Sequence, residues 1–157
     1  MLSSTVTFEY LFFVSMPLPA PDYLDVAYRA DLDVLLARWM RRVTLEEMQQ
    51  GYLYLLEQAE EHACRYWLLD ARRRSNTDRE GAGWMVNTFL PSLHARLEGR
   101  TYLAYLLVPA IMRDVEADAA FPPASFFTGK PFIGERFIDE REAIAWLQAA
   151  HQEPATA

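Results

Sequence analysis

The densest run of chemically capable side chains in this sequence is DARRRSNT, from Asp70 to Thr77. A carboxylate followed by Arg72, Arg73 and Arg74 and by the hydroxyls of Ser75 and Thr77 offers what an anion needs. The guanidiniums would neutralise it and donate in a fork, and the free amides of a helix opening near Glu80 would add to the same place. A simpler arrangement also fits: Asp70 hydrogen-bonds its own loop and the arginines pair with surface glutamates, without any ligand. The sequence lacks a phosphate-cradling glycine pattern, since GAG at Gly81 to Gly83 is too short for one, and this favours the simpler arrangement.

No other group of residues completes a reacting set. His62 and Cys64 could be a base and a nucleophile, but two residues apart on a helix they point in different directions, and Cys64 reads as a small buried residue. His62, His94 and His151 are scattered without metal-pair spacing, so no metal or other cofactor is expected. Arg38, Arg41 and Arg42 flank Trp39 and could bind nucleic acid by charge and stacking. The acidic helix that follows makes intramolecular pairing the stronger expectation. Phe121, Phe126, Phe127 and Phe132 surround a proline-bearing loop and could cover an apolar pocket, although core packing alone explains such aromatics.

The elements that must position these groups follow from periodicity. Tyr23–Tyr28 and Val34–Trp39 read as two strands of a hairpin across RADLD. TLEE from Thr44 has the grammar of a capping box. Leu45, Met48, Tyr52, Leu55, Leu56, Ala59 and Ala63 then recur at helical spacing. YWLLDA, Tyr66–Ala71, is continuously apolar up to its aspartate, as a strand covered on both faces should be, with Asp70 at its C-terminal end, where open α/β sheets place ligands. A second helix from Glu80 to Leu97 should be kinked or divided by Pro91. Tyr102–Val108 is a further buried strand, Pro109–Ala119 a third helix, and Phe132–Ile138 a weaker strand at an edge. A last helix opens with Asp139 as cap, Glu142 as its reciprocal partner, and Ile144 and Leu147 on the apolar face. Alternating strands and helices imply an α/β fold, its sheet parallel apart from the opening hairpin.

The 157 residues suit one domain at 22–150, preceded by an N-terminal arm and proline linker at 1–21 and followed by a frayed tail at 151–157. The arm segment TFEYLFFV, Thr7–Val14, suits strand addition to an exposed edge in its own chain or a neighbour's, so a homodimer is expected. A net charge of −7 argues against nucleic acid as the main partner. One cysteine excludes an internal disulfide framework and favours a reducing compartment. The opening residues lack the basic leader of a signal peptide, and no apolar run reaches the ~18 residues of a membrane span. A soluble, cytoplasmic protein is expected.

The element order, with YWLLDARRR, the tryptophan-bearing second helix, YLAYLLVP and FIDEREAIAWL, resembles the STAS-like domains related to anti-sigma-factor antagonists. The likeness is greatest to their small SpoIIAA-like bacterial branch, whose fold is also compared with CRAL-TRIO lipid-transfer domains. It covers about 23–149. Classical members carry a phosphorylatable serine or threonine after the central strand. The matching region here, Asp70 to Gly83, has only Ser75 and Thr77, in RRRSNTDRE and without the Asp-Ser-Ser-Gly-like context. The resemblance implies a non-enzymatic regulatory or binding module acting through a protein partner or small ligand at loop 70–79. The second expectation is a carrier of an apolar ligand such as a lipid, with the loop 121–132 as a lid.

Overall fold

The computed structural model describes residues 17–74 and 78–153. The arm strand expected at Thr7–Val14, with its subunit contact, lies outside the described residues, as do Ser75, Thr77 and the last four residues of the tail.

Five strands stand in the sheet in chain order: β1 Leu24–Arg29, β2 Val34–Trp39, β3 Tyr66–Asp70, β4 Thr101–Leu106 and β5 Phe132–Phe137. β1 and β2 form the antiparallel hairpin, with Leu24 opposite Trp39, and the β2–β3, β3–β4 and β4–β5 pairs are parallel. Each parallel connection carries helix: α1 Leu45–His62, then α2 Arg79–Trp84 running through a π-helical segment Met85–Phe89 into α3 Leu90–Leu97, then α4 Pro109–Ala117. A sheet that advances one place at every right-handed crossover receives all its crossing helices on one face. Trp39 and Trp67 on that face meet Tyr52 of α1 and Phe89 of the π segment. The final helix, α5 Glu140–His151, returns to the other face, where Trp146 packs on Tyr102 and Phe137 and His151 stacks on Tyr66. β3 is therefore buried along its whole length, as its apolar run requires.

Local chemistry explains the helix ends. Thr44 Oγ1 accepts from the Glu47 amide at 3.1 Å and Glu47 Oε1 accepts from the Thr44 amide at 2.9 Å, so the capping box forms. α1 buries Met48, Gly51, Tyr52, Leu55, Leu56 and Ala59; Ala63, expected on the stripe, is instead the exposed C-cap at φ 48°. α5 has half a box: Asp139 accepts from the amides of Arg141 and Glu142, but no reciprocal bond from Glu142 forms among the described residues. Its buried stripe is Ala143, Leu147 and Ala150, with Ile144 only partly covered. Pro91 divides the second helix as expected. It has no N–H to give, and the turn before it widens, with the Leu90 amide bonding the Met85 carbonyl five residues back.

Gly51 is where α1 crosses closest to the hairpin. A Cβ built there would lie 2.6 Å from Cη2 of Trp39, a fully buried ring. Alanine favours a helix interior over glycine by ~1 kcal/mol, whereas overpacking a tight core costs roughly 1–3 kcal/mol. Gly51→Ala is expected to lower the thermal unfolding midpoint despite its helix preference, and differential scanning calorimetry checks the sign.

Candidate functional site

Asp70 ends β3 with its side chain on the α5 face and only 8% exposed. Its Oδ1 accepts from the Arg72 amide at 3.1 Å and Arg72 Nε at 3.0 Å; Oδ2 accepts from Arg72 Nη2 at 2.8 Å and Arg38 Nε at 3.1 Å. Burial alone would push this carboxyl up. The donors of Arg72, followed by Arg38, outweigh it and hold Asp70 below the usual carboxylate range. Asp70 is thus a saturated acceptor that fastens β2, β3 and the start of the loop, and it has no free lone pair suited to acid–base chemistry.

The three arginines separate within one turn, closed by the Arg74 amide on the Ala71 carbonyl at 3.1 Å. Arg72 is held on Asp70, and Arg73 is exposed, its Nη1 3.9 Å from Met40 Sδ. Arg74 crosses to the opposite side of the sheet. Its guanidinium carbon stands 4.9 Å from the Trp39 ring centroid, its Nη2 3.4 Å from Met48 Sδ and 3.9 Å from Asp78 Oδ2, with 13% of the side chain exposed. These residues do not assemble one anion site.

Arg74 arrives instead at the rim of a cavity of about 160 Å³ beside the C-terminal ends of the parallel strands. Its floor is the β4–β5 pair, where Tyr105 and Arg136 are register partners and Gly134 lets the rings of Phe127 and Tyr105 come close to the strand. A Cβ on Gly134 would lie 3.1 Å from both Phe127 Cζ and Tyr105 Cε2. Met48 and Tyr52 of α1, Met85 and Val86 of the π segment, and Ile111 and Val115 of α4 make the walls. The widened turn at Met85–Phe89 therefore helps to shape the pocket, a frequent place for a π segment.

The aromatic loop divides in two. Phe121 and Phe127 line the cavity, and the Pro122 carbonyl is tied down by Arg136 Nη2 at 2.7 Å. Phe126 instead carries the Lys130 ammonium 4.3 Å from its ring centroid, and Phe132 is buried edge-on against Phe127. A link from Arg79 Nε to Asp118 Oδ2, 3.1 Å, joins the start of α2 to this loop.

Polar groups at the cavity are few. Asp78 Oδ1 accepts from the Gly81 amide at 2.9 Å and so caps α2, and Glu135 Oε1 accepts from the Arg136 amide at 3.1 Å. Burial raises the phenol pKa values of Tyr52 and Tyr105. For Tyr105 the neighbouring Tyr52 adds to the rise and Arg136 and Arg74 oppose it, leaving it well above its ordinary value. Both hydroxyls remain protonated donors at neutral pH. The part of Tyr105 not covered by protein faces the cavity.

The remaining candidates are structural. His62 stacks on Tyr28 at 4.2 Å, and Cys64 is buried with its Sγ near the carbonyls of Asp33 and Tyr66. Burial pushes the thiol up to about 11, so it is not a nucleophile at neutral pH. Arg38 pairs with Asp70, and Arg41 pairs with Glu47 at 2.7 Å while lying over the Tyr23 ring; Arg42 is exposed. Among the described residues no cluster of three His, Cys, Asp or Glu suits a metal ion, and no helix is long and apolar enough to cross a membrane. Tyr105, Gly134 and Arg136 escaped the sequence reading. The glycine inside FIGERF was the available signal, because glycine within a strand often marks a close approach.

No family model, curated protein or solved structure matches this chain, so the STAS-like resemblance rests on element order and apolar pattern alone.

Asp70 gives a pH prediction with a defined sign. Its folded pKa lies below the unfolded value near 4. Its contribution is thus complete above that pH and is lost as pH falls through the folded value. Asp70→Asn is expected to reduce stability by about 1–2 kcal/mol at pH 7, and the gap to the wild type should begin to narrow below about pH 4 and close as pH falls through the lower folded value. Urea denaturation at pH 7, 5 and 3 measures both.

Proposed function

We propose that this protein is a non-enzymatic binding module whose cavity takes a small, mainly apolar ligand. One observation carries the reading: loop 70–79 and loop 121–132, singled out separately in the sequence, contribute Arg74 and Asp78 from one side and Phe121 and Phe127 from the other to the same cavity. An apolar pocket with a few convergent polar groups is the usual form of a ligand site.

Volume narrows the ligand. An apolar cavity of ~150 Å³ holds benzene, whereas drug-sized ligands occupy roughly 300–1,000 Å³. At about 160 Å³ the cavity favours a ring-sized molecule over a whole lipid, so the proposed cargo is small. The carboxylates support binding rather than turnover. Asp70 is saturated by arginines, and Asp78 and Glu135 each hold a backbone amide.

A second reading, protein contact, draws on the outer side of the same loop, where Arg73 and Met40 are exposed near the hairpin. It places any partner on a different surface from the cavity, so the two readings separate by mutation. Gly134→Val crowds Phe127 and Tyr105 in the cavity lining and leaves Arg73 untouched.

Saturation with benzene is expected to raise the thermal midpoint of the wild type, since a ligand at 100 times its Kd adds about 2.7 kcal/mol, or ~5–10 °C for a chain of this length. Gly134→Val, still cooperatively folded, should show no such rise. A wild-type midpoint indifferent to benzene would defeat the cavity reading.

A further inference from the structure

The cavity mixes an apolar body with an unusual polar end. Tyr105 and Arg136 are register partners on the same face of β4 and β5, and both line it. Arg74 enters from the β3 exit loop, and both guanidiniums act electrostatically on the Tyr105 hydroxyl. Burial and the neighbouring Tyr52 raise the pKa of that phenol, and the two arginines oppose the rise.

The lining also holds two carboxylates, each bound to a backbone amide. Asp78 caps the Gly81 amide at 2.9 Å and stands 3.9 Å from Arg74, and Glu135 holds the Arg136 amide at 3.1 Å. The arginines are less committed. Arg74 lies against a ring face and a thioether, while Arg136 gives one N–H to the Pro122 carbonyl and has no ion-pair partner among the described residues. Two guanidiniums are donors only, and a protonated phenol can donate as well as accept. Placed at the end of a ring-sized apolar space, they match a planar monoanion carried on a small apolar body.

Resting on the cavity reading, we infer that the ligand is a compact carboxylic acid, aromatic or of similar size, whose carboxylate is received by Arg74, Arg136 and the Tyr105 hydroxyl while its apolar body lies among Met85, Ile111 and Phe127.

Benzoate and benzamide test this, because they have nearly the same shape and differ in charge. Isothermal titration of the intact protein should find benzoate tighter by about tenfold or more, the usual advantage of charge-assisted over neutral hydrogen bonds. Arg74→Gln and Arg136→Gln should each reduce that preference with little change in benzamide affinity, and Arg74→Lys should retain most of it. Gly134→Val should abolish both. Equal binding of benzoate and benzamide to the wild type would overturn the carboxylate inference and leave the cavity reading standing. Binding of neither would overturn both. A preference that survives in both glutamine variants would also overturn the assignment.

Discussion

A carboxylate at the end of the most deeply buried strand is the constraint from which much of this molecule follows. β3 is covered on both faces, so ionised Asp70 is stable there only if nearly every lone pair finds a donor. Arg38 reaches it from the neighbouring strand, and the Arg72 side chain and amide reach it from two residues on. That local demand curls the chain back immediately after the strand. Once Arg72 is committed to one side of the sheet, Arg74 is turned to the other, where Trp39 and Met48 receive it. The electrostatics of one buried group on the α5 face thus determine which cation borders the cavity on the opposite face.

What was legible in the sequence was what depends on local pattern. The α1 stripe apart from its exposed end at Ala63, the Thr44 box, the doubly buried β3 and the parallel order with an antiparallel opening stand as expected, because periodicity and capping act within a few residues. Pro91 gave the position of a break but not its form, a π turn. The box at Asp139 looked complete because residue types alone do not orient the Glu142 side chain. The cavity was half legible. Arg74, Phe121 and Phe127 were already candidates, but three consecutive arginines look equivalent in a sequence and diverge only when a turn separates them. Tyr105, Gly134 and Arg136 become neighbours only through the register of β4 with β5, and no single segment encodes that pairing.

Charge is distributed unevenly between outside and inside. The chain carries a net charge of −7, yet two arginines line the cavity beside the Tyr105 hydroxyl. Surface charges more than ~8 Å away are largely screened at physiological salt, so the acidic exterior has little influence on what is favourable inside. It bears instead on approach, slowing the encounter with anions in dilute salt.

The order of the strands in space is their order in the chain, and this has a consequence for how the molecule is made. Each parallel pairing closes over one short helical connection between chain neighbours, so no strand waits for a partner encoded far away, and chain-closure entropy stays small at every step. A nascent chain can add β3, β4 and β5 to the hairpin one at a time as each emerges. Only α5 must wait for the finished sheet, since it packs across β3, β4 and β5 together. The growing sheet thus keeps one face bare until α5 has emerged, and that last helix of the domain acts as the closing seal.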